Sequence, residues 1–104
     1  MNKFIKIKGE LIPYDKIDGI RFNPNEIIKK NASTTKKNEY KVGIRKCNSV
    51  NPTYHSYEVS DDCDKDRLAV QMEKSFINFA NNDNVVFDVE SMIRFILNYD
   101  ENDV

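Results

Sequence analysis

Apolar residues in this chain repeat with two different periods, and the change falls at Ser60. Before it, in "KFIKIKG", "IRF", "YKVGIRKC" and "YHSYEV", apolar side chains recur at every second position. After it, Leu68, Met72, Phe76 and Phe79 recur at three- to four-residue spacing. A period of two lays one apolar face along a strand, and a period near 3.6 lays one along a helix. The expectation is an α+β fold. A mainly antiparallel sheet of about four to six strands is packed by a long amphipathic helix over about 61–80 and a shorter C-terminal helix over about 89–99. With 104 residues the chain has room for one core, so residues 1–104 read as a single domain.

The strand faces follow from the alternation. Lys3, Ile5 and Ile7 share one face of the first strand, and Phe4, Lys6 and Lys8 the other. Gly9 permits a tight turn, "ELI" starts a second strand, and Pro13 ends that strand or puts it at an edge. "PYDKIDG" reads as a turn anchored by Ile17. Tyr40, Val42 and Ile44 face one way, as do His55, Tyr57 and Val59, and "NSVNPT" joins the two segments as a six-residue hairpin loop. Between the strands, residues 23–39 form a polar, Lys- and Asn-rich loop expected to be mobile.

In the second half, Ser60 stands where a helix N-cap is expected, with Asp61, Asp62 and Asp64 meeting the positive end of the helix dipole. "NNDN" closes that helix, through an Asn in the left-handed cap conformation. "VVFD" is a short strand, and Asp88 caps the last helix. There Val89, Met92, Ile93, Ile96, Leu97 and Tyr99 spread over a broad apolar arc, widened by Phe95. An arc of that breadth is either sandwiched or meets a partner. Phe95, Leu97 and Tyr99 are therefore candidates for a homodimer contact.

Charge divides along the chain. Residues 1–46 carry a net +7 and residues 47–104 a net −8, within an overall −1. The acidic end, Asp61, Asp62, Asp64 and Asp66, is a candidate surface for a basic protein partner. The basic half offers an alternative, nucleic-acid contact through Lys6, Lys8, Lys29, Lys30, Lys36 and Lys37, with Phe4, Tyr40 and Tyr54 as stacking residues. Only four Arg and a pI near 5.8 weigh against that alternative.

"DCDKDRLAVQME" has the first, third, fifth and twelfth acids of an EF-hand calcium loop. However, Arg67 stands where the loop needs Gly, Val70 brings no oxygen, and the helical stripe starts inside the loop at Leu68. Cys47, His55 and Cys63 lack the short paired spacing of a zinc site; the two thiols become neighbours only if Cys47 ends one strand and Cys63 starts the helix after its partner strand. No nucleophile, metal-protease or phosphate-loop motif is present. The chain is read as a non-enzyme with no cofactor or metal.

No signal segment or membrane-length apolar run is visible, so a reduced, cytoplasmic setting is expected. The Asn-, Lys- and Ile-rich usage suits a low-GC bacterium or its phage. Across "FIKIKGELIPYDKIDGIRF", "YKVGIR" and "YHSYEVSDDCDKDRLAVQMEKSF" the chain resembles small bacterial and phage proteins of unknown function with a pleckstrin-homology-like sheet-plus-helix pattern. The resemblance implies binding rather than catalysis and identifies no ligand. The expected function is a protein–protein interaction module, such as a phage-encoded inhibitor or modulator of a host complex.

Overall fold

The computed structural model describes residues 2–22 and 38–102, the last four of these by backbone alone. The polar loop expected at 23–39 thus lies almost wholly outside the described residues. The order of elements is β1 (Phe4–Ile7), β2 (Glu10–Pro13), a 3-10 turn (Tyr14–Lys16), β3 (Ile17–Phe22), β4 (Glu39–Lys46), β5 (Thr53–Glu58), α1 (Lys65–Asn81), β6 (Val86–Asp88) and α2 (Val89–Asn102). The fold is α+β, with a longer and a shorter helix as the two periods require.

The six strands form two sheets of three. β1 sits between β2 and β6 in the first, and β4 between β3 and β5 in the second. All pairs are antiparallel except β1–β6, where Phe4 stands beside Val86 and Lys6 beside Asp88. β1 and β2 join through Lys8 and Gly9, both at positive φ (50° and 79°). This is the mirror-image two-residue turn that suits the twist of a hairpin. In the second sheet, Ile20 faces Ile44 and Phe22 faces Val42, while a register shift between Ile17 and Gly19 leaves Asp18 as the extra residue. Cys47–Pro52 forms the six-residue hairpin loop, with Asn48 in the left-handed region (φ 71°).

One core joins both sheets and both helices. Ile5 and Ile7 of β1, Ile12 of β2, Tyr40, Val42 and Ile44 of β4, and Tyr57 of β5 are buried in it. α1 contributes Leu68, Met72 and Phe79, and α2 contributes Val89, Ile93 and Ile96. At one side five rings meet. Phe87 lies 5.4 Å from Phe76, edge to face, and 5.6 Å from Phe79 between centroids. Tyr14 and Phe22 complete the cluster from the 3-10 turn and β3.

Two helix ends differ from expectation. α1 begins after Asp64, not after Ser60: the Asp64 carboxylate accepts the Arg67 N–H at 3.1 Å. Ser60 instead donates its hydroxyl to Asp62, and the Cys63 N–H bonds the Ser60 carbonyl in a turn. The chain needs that turn to swing from β5 onto the helix layer, and half-buried Cys63 anchors it. At the other end Asn82 is extended (φ −122°), not left-handed. The Phe79 carbonyl in the last turn of α1 accepts from the ammonium of Lys3 at 2.8 Å, and the same ammonium bonds the carbonyls of Asn82 and, at 2.8 Å, Asn84 just beyond the helix. No left-handed cap is then required.

Candidate interaction surfaces

Helix geometry decides which residues of α2 reach the surface. Val89, Ile93 and Ile96 point into the core, and this turns Phe95 outward by about 100° from Ile96. Phe95 is 65% exposed, the most of any described aromatic, and Val86 of β6 is 45% exposed. The two line one groove of about 470 Å³ between α1, β6 and α2, floored by Phe79, Phe87 and Met92. Asp88 is the only ionisable residue in its lining. Its carboxylate is engaged as the α2 cap, accepting the Ser91 N–H at 3.1 Å.

Leu97 belongs elsewhere. Two residues on a helix are about 200° apart. Leu97 faces a second cleft of about 800 Å³, with Tyr57, Ile93 and Arg94. Phe95 and Leu97 thus do not share one surface, and the Tyr99 side chain lies outside the described residues. The second cleft is lined by both signs of charge. Arg94 pairs with Glu90 at 3.0 Å, and the Lys8 ammonium sits 4.3 Å over the Tyr57 ring. Burial pushes the Tyr57 hydroxyl up to about 12.

The four aspartates at the start of α1 are exposed but differ in role. Asp64 caps the helix, Asp62 takes the Ser60 hydroxyl, Asp66 is in the first turn, and Asp61 lies in the preceding turn. Since Lys65–Asn81 is continuous helix, the twelve residues from Asp62 do not wrap an ion as a calcium loop must. Among the described residues no three His, Cys, Asp or Glu side chains converge as metal ligands.

Hairpin topology separates the two cysteines. Cys47 follows β4, whereas Cys63 lies beyond the end of β5, where Glu58 stands opposite Glu39 at the start of β4. A strand of that length places them roughly 20 Å apart, so the thiols are not neighbours. Cys47 is exposed, its thiol 3.8 Å from the Asp15 carbonyl. Cys63 adjoins the buried Tyr40 hydroxyl, whose ionisation is pushed well above the usual range, mainly by burial and secondarily by the thiol. His55 is half-buried on the core face, and burial lowers its pKa.

Among the described residues, Lys3, Lys6 and Lys8 go to three different partners. Lys6 stands 4.0 Å from Asp88, Lys8 covers Tyr57, and Lys3 caps α1. Lys29, Lys30, Lys36 and Lys37 lie outside the described residues. Of the three stacking candidates, Tyr40 is wholly buried and Phe4 half-buried, while Tyr54 is exposed on the outer face of β5. Tyr54 stands in a row with Arg21 and Gly43, a grouping absent from the lysine-based expectation. Strand register was the signal that could have found it: Tyr54 sits out of phase with Tyr57 and Val59, as Gly43 does with Val42 and Ile44.

No helix among the described residues is long and apolar enough to cross a membrane. No protein-family model, no curated protein and no solved structure matches the chain.

Proposed function

We propose that the chain is a non-enzymatic protein–protein interaction module, and that the groove between α1, β6 and α2 receives an apolar side chain of its partner. The observation that carries this is Phe95. It is a large aromatic exposed on a helix whose other face closes the core, at the mouth of a groove with an apolar floor of Phe79, Phe87 and Met92 and a polar rim that includes Ser75, Asn78 and Asn84, with Val86 beside it. Aromatic residues at the edge of a desolvated pocket are where binding energy concentrates in protein interfaces. The resemblance to small bacterial and phage proteins of unknown function, whose sheet-plus-helix pattern implies binding rather than catalysis, agrees with this reading. The Asn-, Lys- and Ile-rich residue usage suits a low-GC bacterium or its phage, and the proposed partner is a host complex that the chain inhibits or modulates in the cytoplasm. The acidic start of α1 would lie outside this contact, and a second copy of the chain is the other occupant that the groove admits.

The test is photocrosslinking in the native host from a benzoylphenylalanine in place of Phe95, with the same probe at Glu73 on the opposite side of α1 as control. A discrete adduct from position 95 alone is expected. An adduct of twice the chain mass identifies the homodimer. Equal labelling from both positions, or labelling from position 73 alone, overturns the reading.

A further inference from the structure

The face of β3, β4 and β5 turned away from the helices carries a pattern that the core does not require. Arg21, Gly43 and Tyr54 stand in register across the three strands. In the next row Gly19 stands opposite Arg45, and on the other side Lys41 stands opposite Ser56. Gly43 has no side chain, and the Tyr54 ring lies across it. Its Cε1 and Cδ1 are 2.6 and 2.9 Å from the point a β-carbon would occupy. The ring is thus seated on the backbone while 37% of the residue remains exposed. Gly19 and Gly43 leave a depression of about 750 Å³, walled by Arg21, Arg45, Pro52 and Tyr54.

We propose that this face binds single-stranded nucleic acid, with one base stacked on Tyr54 and the flanking phosphates met by Arg21, Lys41 and Arg45. A partly exposed ring seated against the backbone offers stacking to any base, which is how sequence-tolerant single-strand binders work. Successive same-face residues on a strand are about 6.6 Å apart. That step suits the phosphates of an extended single strand, so Lys41 and Arg45 reach phosphates on either side of the stacked base. A duplex keeps its bases stacked on each other and cannot use the ring. An acidic peptide would meet the three cations but make no use of the seated Tyr54.

The face also limits its own footprint. At one end Asp18 pairs with Arg45 at 2.7 Å, an exposed ion pair that Arg45 exchanges for a phosphate on binding, and Glu39 opposite Glu58 puts two carboxylates at the other end. Phosphates beyond either end are repelled, which restricts the contact to two or three nucleotides. This site is separate from the groove that holds Phe95, and the two stand or fall independently.

The test is fluorescence anisotropy of the whole chain with labelled single-stranded oligothymidylate and oligouridylate across a salt series. Saturable binding is expected, with a slope of log affinity against log salt of about −2, since each of three phosphate contacts contributes about −0.7. Tyr54→Leu, which still covers Gly43, lowers affinity about tenfold. Arg21→Gln and Lys41→Gln each flatten the slope by about 0.7. Circular dichroism checks that each variant is folded, and joint replacement of Lys29, Lys30, Lys36 and Lys37 by Gln leaves the loss on Tyr54→Leu intact. The proposal is overturned by no binding at low salt, by unchanged affinity in folded Tyr54→Leu, by binding that depends only on the four lysines, or by preference for duplex DNA.

Discussion

The Lys3 ammonium, just ahead of β1, donates at 2.8 Å to the main-chain carbonyl of Phe79 in the last turn of α1. The same ammonium reaches the carbonyls of Asn82 and Asn84 and lies 4.7 Å over the Phe79 ring. A cation at a helix C-terminus meets both the unpaired carbonyls and the negative end of the dipole. Lys3→Met keeps the aliphatic stem and removes the charge. It is expected to lower stability by about 1–2 kcal/mol in urea unfolding. A change no larger than that of Lys6→Met would show that the cap contributes nothing.

The aspartates at the start of α1 are not equivalent. Asp64→Ala removes the side-chain cap on the Arg67 N–H and is expected to destabilise by about 1 kcal/mol. Asp61→Ala, in the exposed turn, stays within about 0.5 kcal/mol of the parent. Thermal melts of the two variants side by side decide whether Asp64 or the upstream turn defines the helix.

Tyr40 is wholly buried, and its hydroxyl has no hydrogen-bond partner among the described residues. A buried polar atom without a partner opposes folding. Tyr40→Phe is therefore expected to be neutral or stabilising, by up to about 1 kcal/mol. A clear destabilisation in chemical denaturation would reveal a partner for the hydroxyl.

The pH dependence has a sign at each end. Burial lowers His55, so the unfolded chain takes up the proton first. Stability then falls as pH drops below the ordinary value of 6.5, until the folded imidazole also protonates. His55→Gln should flatten that slope. Tyr57 is raised from 10.0 to about 12, so its contribution is full below pH 10 and is lost as pH rises through that interval. Absorbance titration near 295 nm should show Tyr40 and Tyr57 ionising well above pH 10; ionisation of either near pH 10 in the folded protein would contradict its burial.

Phe87 touches Phe22, Phe76 and Phe79 and is almost fully buried. Through this one ring β6 is tied to β3 and α1. Phe87→Ala is expected to cost about 3–5 kcal/mol, enough to unfold much of the population, whereas Phe87→Leu should cost far less. Equilibrium unfolding of the two variants checks the difference.

The elements themselves were legible because each obeys a short period. Tyr40, Val42 and Ile44 alternate, and Leu68, Met72 and Phe79 return to one helix face, so local pattern and burial agree. The division into two sheets was not legible. It depends on β6, three residues long, pairing with β1 rather than extending β5, and no local signal encodes a partner so remote. Helix ends were misplaced for a related reason. Ser60 and Asp64 are both good caps, and the choice between them was made by the turn that seats Cys63. At Asn82 the choice was made by a lysine from the other end of the chain. Phe95 was legible as an apolar residue, but its separation from Leu97 required the direction of the core. The Arg21–Gly43–Tyr54 row required the register of three strands at once.

The parallel pairing of Phe4 with Val86 also orders events in time. β1 and β2 can form their hairpin early through the Lys8–Gly9 turn, whereas the second side of β1 waits for a strand that closes a loop spanning most of the chain. Contacts of such long range make for slow folding. Until β6 docks, one edge of β1 is open, with a row of its main-chain N–H and C=O groups unpaired. The last step of folding is then the one that shields the earliest strand, and the interval before it is when this chain is most exposed to association with its own copies.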